Sequence, residues 1–166
     1  MDSFDVKTLI FDRTQDDILE AKLLIEKIKE NGFNSLSDKE KTKWNSGLKA
    51  CLNNTDLNRI EECCCYFADM FDIDTMEIKA DWQKMDVPTD IEMKRILENV
   101  DTIRNLYRFI PIGTPITPTQ PLNMIEKIND VEKILYNKYI YINGNLDNTN
   151  YCNDNFYSGD VLTGLL

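Results

Sequence analysis

The sequence predicts a mainly α protein: a small bundle of about five helices, with one or two short β-strands and an extended C-terminal arm. Three observations carry this expectation. Apolar residues recur at three- and four-residue spacing in successive windows, capping residues precede those windows, and the composition changes after Tyr136. A hydrophobic fraction of 42% supplies a core for one domain. The expected division is a helical body over residues 1–136 and an Asn/Tyr-rich docking arm over residues 137–166.

Residues 6–11 (Val-Lys-Thr-Leu-Ile-Phe) read as a short strand or extended lead-in. Thr14 then caps a helix whose first turn is acidic, in favour of the helix dipole. Ile18, Ala21, Ile25 and Ile28 form its stripe with Leu24 beside them, and Asn31-Gly32 ends it. Ser37-Asp38-Lys39-Glu40 is a capping box that opens a short second helix carrying Trp44 and Leu48. Beyond Gly47 the pattern fits either a continued helix or a turn at Asn53-Asn54.

The third helix is expected to start at Thr55, with Leu57, Ile60, Cys64, Phe67 and Phe71 on one face. Asn58, Arg59, Glu61 and Glu62 fall mostly off that stripe. Residues 76–80 alternate like a brief strand that would pair with residues 6–11. A fourth helix, expected to be the longest, begins near Pro88-Thr89-Asp90 and aligns Met93, Leu97, Val100, Ile103, Tyr107 and Ile110. Pro111, Pro115, Pro118 and Pro121 exclude helix across residues 111–121 and hold an extended crossover. The alternative for that stretch is a proline-motif ligand.

A fifth helix is expected over residues 122–136, with Met124, Ile128, Val131 and Leu135 inward. From Tyr136 to the end come five of the seven tyrosines and a run of asparagines. Residues 139–142 resemble a strand leading into an Asn143-Gly144 turn. The arm has little to bury alone. It folds back on its own helices, docks on a partner subunit or stays disordered, and its rings suit an interface.

Chemistry is thinly represented. A net charge of −10 repels phosphate backbones and anionic membrane surfaces, so neither nucleic acid nor membrane is an expected partner. No apolar run reaches the ~20 residues of a bilayer span. The acidic start, Met1-Asp2-Ser3-Phe4-Asp5, lacks a signal-peptide core, which places synthesis in a cytoplasm with release by lysis or within a particle. There is no histidine to serve as a base near neutral pH. Cys63-Cys64-Cys65 on a helix point about 100° apart and cannot converge on one ion. The cysteines therefore read as reduced and structural, and no metal or cofactor is expected. Acid pairs such as Glu61/Glu62 and Asp72/Asp74 read as solvated faces in so acidic a chain. The cluster at 143–147 lacks the twelfth-position glutamate of a calcium loop. No catalytic residue is assigned.

One ordered series stands out: Asp12-Arg13-Thr14, Trp44-Asn45-Ser46-Gly47-Leu48-Lys49, Thr55-Asp56-Leu57-Asn58-Arg59-Ile60-Glu61, Asp81-Trp82, Asp86-Val87-Pro88-Thr89 and Tyr157-Ser158-Gly159-Asp160. It resembles a helical module of the tail gene region in phages, prophages and phage-tail-like particles of low-GC Gram-positive bacteria. The likeness runs from about Thr8 to Asp160; the Cys63-Cys64-Cys65 run departs from the small and aliphatic residues expected there. The resemblance implies a non-enzymatic virion component at the baseplate or tail-fibre attachment. Its partners would be other tail or baseplate subunits, or itself in threefold or sixfold assembly. Arg13, Trp44, Asp56, Asn58, Arg59 and Trp82 are the expected structural motif. Asp56, Asn58 and Arg59 would fix a helix start by capping and a salt bridge, and Arg13 would pair with an acid near the core. Tyr151, Phe156, Tyr157, Leu165 and Leu166 are the expected partner contacts. The alternative is a small acidic phage-encoded protein that binds and inhibits a host protein.

Overall fold

The computed structural model describes residues 4–119, Leu122 and residues 124–151, with side chains as far as residue 144. It is mainly helical, with α1 at Gln15–Asn31, α2 at Asp38–Ser46, α3 at Asn54–Phe71, α4 at Asp90–Arg104 and α5 at Ile125–Tyr151. The first four helices share one local device. An acid at the third helical position accepts the backbone N–H of the capping residue: Thr14 to Asp17 (2.7 Å), Ser37 to Glu40 (2.7 Å), Asn53 to Asp56 (3.0 Å) and Thr89 to Glu92 (2.8 Å). Each bond satisfies a backbone donor at the helix start and places negative charge on the positive end of the dipole.

Several boundaries differ from the sequence expectation. α3 is capped by Asn53 in place of Thr55, because Asp56 sits at the reciprocal third position. Neither expected strand forms among the described residues: Val6–Thr8 is a 3₁₀ turn, and residues 76–80 are extended without a ladder. Both segments instead spend their backbone donors on buried glutamates, Ile10 on Glu132 and Lys79 on Glu61. α4 ends at Arg104 and is shorter than α5; Tyr107 and Ile110 lie beyond it and are exposed. α5 continues through the expected stop at Tyr136 to Tyr151, carrying Asn143-Gly144 and the 143–147 cluster inside the helix. Tertiary packing explains the extension: Tyr139 rests on Phe4 and Tyr66, and Ile142 is buried.

α3, α4 and α5 run in the same direction. Arg59 meets Glu132 and Tyr66 meets Asn143, which sets α3 parallel to α5. Glu61 meets Arg95 and Phe71 meets Tyr107, which sets α4 parallel to α3. Parallel neighbours need return paths. Residues 72–89 and 105–119 supply them, each running back along a helix some 20–30 Å long at ~1.5 Å per residue. The proline-rich stretch is the second return path. The core between these helices includes Leu57, Ile60, Phe67, Ile96, Val100, Ile103, Val131, Ile134 and Leu135, and Trp82 closes it from the first crossover. Burial of each such aliphatic or aromatic side chain stabilises by about 1.5–3 kcal/mol.

α1 and α2 form an antiparallel hairpin, with Lys27 on Glu40 (2.9 Å) and Lys43 on Glu20. Ala21, Leu24 and Leu36 are buried there, outside the main core. Trp44 is half-buried on α2, while Leu48 follows the helix. Gly47 ends α2 at φ +91°, and an added Cβ would stand 2.8 Å from Asn53 Cγ. The Asn53 side chain donates to the carbonyls of Leu48 and Cys51 (both 2.9 Å), so the turn is wrapped around it.

G47A combines a strained φ with a clash and is expected to cost about 1–3 kcal/mol by urea denaturation. G32A, at φ +77° with open space around its Cβ, is expected to cost less. An equal effect at both glycines would show that the Asn53 contact is unimportant. Acid titration probes the caps. Hydrogen bonds from Ser37 and Lys27 hold the Glu40 carboxyl at about 2, below its usual 4.5. Its contribution is therefore complete above pH ~4.5 and is lost as pH falls toward about 2. The stability gap between wild type and E40Q is expected to narrow over that interval; a gap independent of pH would contradict it.

Candidate functional site

Five residues of the ordered series, Arg13, Asp56, Asn58, Arg59 and Trp82, converge on one end of the bundle, where α3 begins. Arg13, just before α1, reaches inward and is 5% exposed. Its Nη2 donates to Asp56 Oδ1 and Glu132 Oε1 (both 2.9 Å), its Nε donates to the Lys49 carbonyl (3.0 Å), and its Nη1 donates to the Ile10 carbonyl. Arg59, one turn after Asp56, donates to Asp56 Oδ1, to Glu132 Oε1 (2.8 Å) and to Glu132 Oε2 (3.2 Å). Asn129, one turn before Glu132 on α5, accepts the Arg13 backbone N–H (3.2 Å) and donates to the Arg13 carbonyl (2.9 Å). Two arginines and two carboxylates thus balance in charge within the core. Burial works against the Arg59 charge, and the hydrogen bonds and charges of Glu132 and Asp56 more than offset it, raising its pKa.

A second cluster lies one turn further along α3. Glu61 is fully buried, contrary to the expectation that it faces solvent, while Glu62 is exposed. Glu61 accepts Trp82 Nε1 (3.0 Å), both Arg95 Nη atoms (2.6 and 2.7 Å) and the Lys79 backbone N–H (2.9 Å). Bonding to Glu61 raises the Arg95 pKa. Asn58 clamps the Trp82 backbone in both directions, accepting its N–H (2.7 Å) and donating to its carbonyl (3.0 Å). Lys79 Nζ lies 3.8 Å from the Trp82 ring centroid.

Asp56, Glu61 and Glu132 each accept four donors, counting Asn53 N and Nδ2 on Asp56 and Ile10 N on Glu132. A carboxylate offers about four lone-pair sites, so these three have none left for a substrate proton. The arrangement holds structure together. The thiols behave likewise. Burial raises the pKa of Cys63 and Cys64 in the core, burial and then Asp56 raise Cys51, and burial and then Asp69 raise the exposed Cys65, so the thiolate form is disfavoured at each.

Lys138 is the third buried charge missed in the sequence. Its Nζ donates to the carbonyls of Leu106 (2.7 Å) and Phe109 (2.6 Å), closing the turn in which Tyr107 and Arg108 adopt left-handed φ of 58° and 52°. Burial, and then Arg104, lower its pKa to about 8.

Of the expected motif residues, Arg13, Asp56, Asn58, Arg59 and Trp82 meet in this joint, and Trp44 lies nearby beside a cavity it shares with Asn53 and Lys84. Glu132, Asn129, Glu61 and Arg95 complete it. For Glu132, Glu61 and Arg95 the one sequence signal was a charged residue directly beside an apolar position of the helix, and Asn129 had none. Phe156, Tyr157, Leu165 and Leu166 lie outside the described residues, as does the side chain of Tyr151. No protein-family model, curated protein or solved structure matches this chain. Among the described residues no helix is long and apolar enough to cross a membrane.

E132Q leaves two buried guanidiniums facing one carboxylate and is expected to cost about 3–5 kcal/mol of unfolding free energy. A loss below ~1 kcal/mol in chemical denaturation would show that the cluster is not a keystone. W82F removes the N–H donor to Glu61 and is expected to cost about 1–3 kcal/mol in chemical denaturation, with the remaining emission, from half-buried Trp44, shifted to the red of the wild type.

Proposed function

We propose that this chain is a structural component of a phage tail or phage-tail-like particle, a baseplate or tail-fibre attachment subunit that works through protein–protein contacts. The observation that carries the reading is the convergence of five residues of the ordered series on one joint. Arg13, Asp56, Asn58, Arg59 and Trp82 are all consumed in fastening helices to each other. A motif spent on rigidity suits a subunit whose task is to hold neighbours in fixed geometry. The resemblance of the series to tail-region modules supplies the setting. In this reading the body is the rigid part, and Tyr151, Phe156, Tyr157, Leu165 and Leu166 contact an adjoining tail subunit, with symmetry multiplying those contacts.

The test is incorporation. Particles purified after induction of the strain that carries the gene are expected to contain the full chain by mass spectrometry, at constant stoichiometry across a density gradient. A chain ending at Tyr151 is expected to keep the wild-type melting temperature and to be lost from the particles. Particles free of the full chain would overturn the assignment, and normal incorporation of the shortened chain would remove residues 152–166 from the contact.

A further inference from the structure

The second crossover leaves a groove on the body, between α4 and the proline-rich strap. Its floor is the Met93 and Leu97 side of α4, and its far wall is the stretch 116–119 of the proline-rich strap. The strap is tied down just before this stretch, where Arg104 Nε donates to the Pro115 carbonyl (2.8 Å) and Asn137 donates to Thr114 Oγ1 (3.1 Å). The wall is therefore held open at a fixed spacing, enclosing about 690 Å³.

Two independent features mark the groove as incomplete. Thr117 is 8% exposed, and its buried hydroxyl has no hydrogen-bond partner among the described residues. An orphaned buried hydroxyl is uncommon, because it forfeits its bonds to water without replacement. Thr117 is one of the residues that line the groove. The rim is the second feature. Lys94 pairs with Glu98 at 3.5 Å, while Asp90 and Asp101 have no ion-pair partner among the described residues. Ile116, 80% exposed, stands over this acidic rim as an apolar lip.

We propose that the groove docks a short segment of another protein chain in which aliphatic side chains are flanked by lysine or arginine. The aliphatic groups cover Met93, Leu97 and Ile116, a backbone amide of the segment donates to the Thr117 hydroxyl, and the flanking cations face Asp90 and Asp101. Charge selects the occupant. A second copy of this chain, at −10, and its own residues 152–166, whose charged side chains Asp154 and Asp160 are both acidic, fit the rim poorly. The inference goes beyond the particle reading and holds whether the partner belongs to a tail or to a cell.

The experiment is fluorescence anisotropy on the full chain with two labelled nonapeptides. One has a leucine pair flanked by two lysines at each end, and the other has glutamates in place of the lysines. The lysine peptide is expected to saturate and the glutamate peptide to stay free. T117V keeps shape and removes the hydroxyl, so it is expected to weaken binding about fivefold while leaving the melting temperature equal or higher. D90N/D101N is expected to weaken binding about five- to tenfold, against less than twofold for the charge-matched E26Q/E30Q on α1. No saturable binding, or equal losses in D90N/D101N and E26Q/E30Q, overturns the proposal. Binding seen only in a chain ending at Tyr151 assigns the groove to residues 152–166, and binding that competes with self-association in sedimentation assigns it to a second copy; both overturn it.

Discussion

The fold depends on a four-member charge cluster at the start of α3. Arg13 comes from the segment before α1, Asp56 and Arg59 from the first turns of α3, and Glu132 from the third turn of α5. Moving single charges into a low-dielectric interior costs several kcal/mol each, and only near-complete pairing offsets it. That condition makes the cluster selective. It is satisfied when the N-terminal segment, α3 and α5 sit in one relative position, and a shift by one helical turn leaves a buried charge alone. Apolar stripes drive the helices together but tolerate sliding; the charges set which register survives. The Arg13 bond to the Lys49 carbonyl extends the same control to the turn that joins the α1–α2 hairpin to α3.

A second constraint follows from direction. With α3, α4 and α5 parallel, their N-terminal dipoles point the same way, which is mildly unfavourable. Acids at those ends counter it: Asp56 on α3, Asp90 and Glu92 on α4, and Glu126 on α5. Parallel packing also imposes long return paths, and an extended chain on the surface must be stiffened or anchored to stay in place. The first is anchored by Trp82, clamped by Asn58 and Glu61. The second is stiffened by prolines and tied through Arg104. The groove beside α4 is a by-product of that tether, since a strap held off the helix leaves space beneath its free stretch.

Much of this was readable from residue order. The capping boxes at Ser37 and Thr89, the Leu57–Ile60–Cys64–Phe67 stripe, the extended proline stretch and the pairing of Arg13 with core acids all rest on neighbours a few residues apart or on elementary charge balance. The failures have a common source. Asn143-Gly144 is a strong turn signal in isolation, yet packing of Tyr139 and Ile142 on the bundle carries helix through it. Residues 6–11 and 76–80 have strand-like alternation, yet their backbone donors found buried carboxylates before they could find each other. Glu61 reads as a surface acid because its partners Arg95 and Trp82 lie more than twenty positions away.

The sequence by itself determined where helices start, which faces are apolar and that the chain builds one mainly helical body, because those properties arise from contacts within one or two turns. Only the tertiary structure decided which acids are buried, that three helices run parallel, and that a strap stands off α4 with a threonine hydroxyl that has no partner among the described residues. A charged side chain has no intrinsic side of the protein to occupy. Whether it faces water or the core depends on a partner brought near by the whole fold, and that information lies in distances that residue order does not contain.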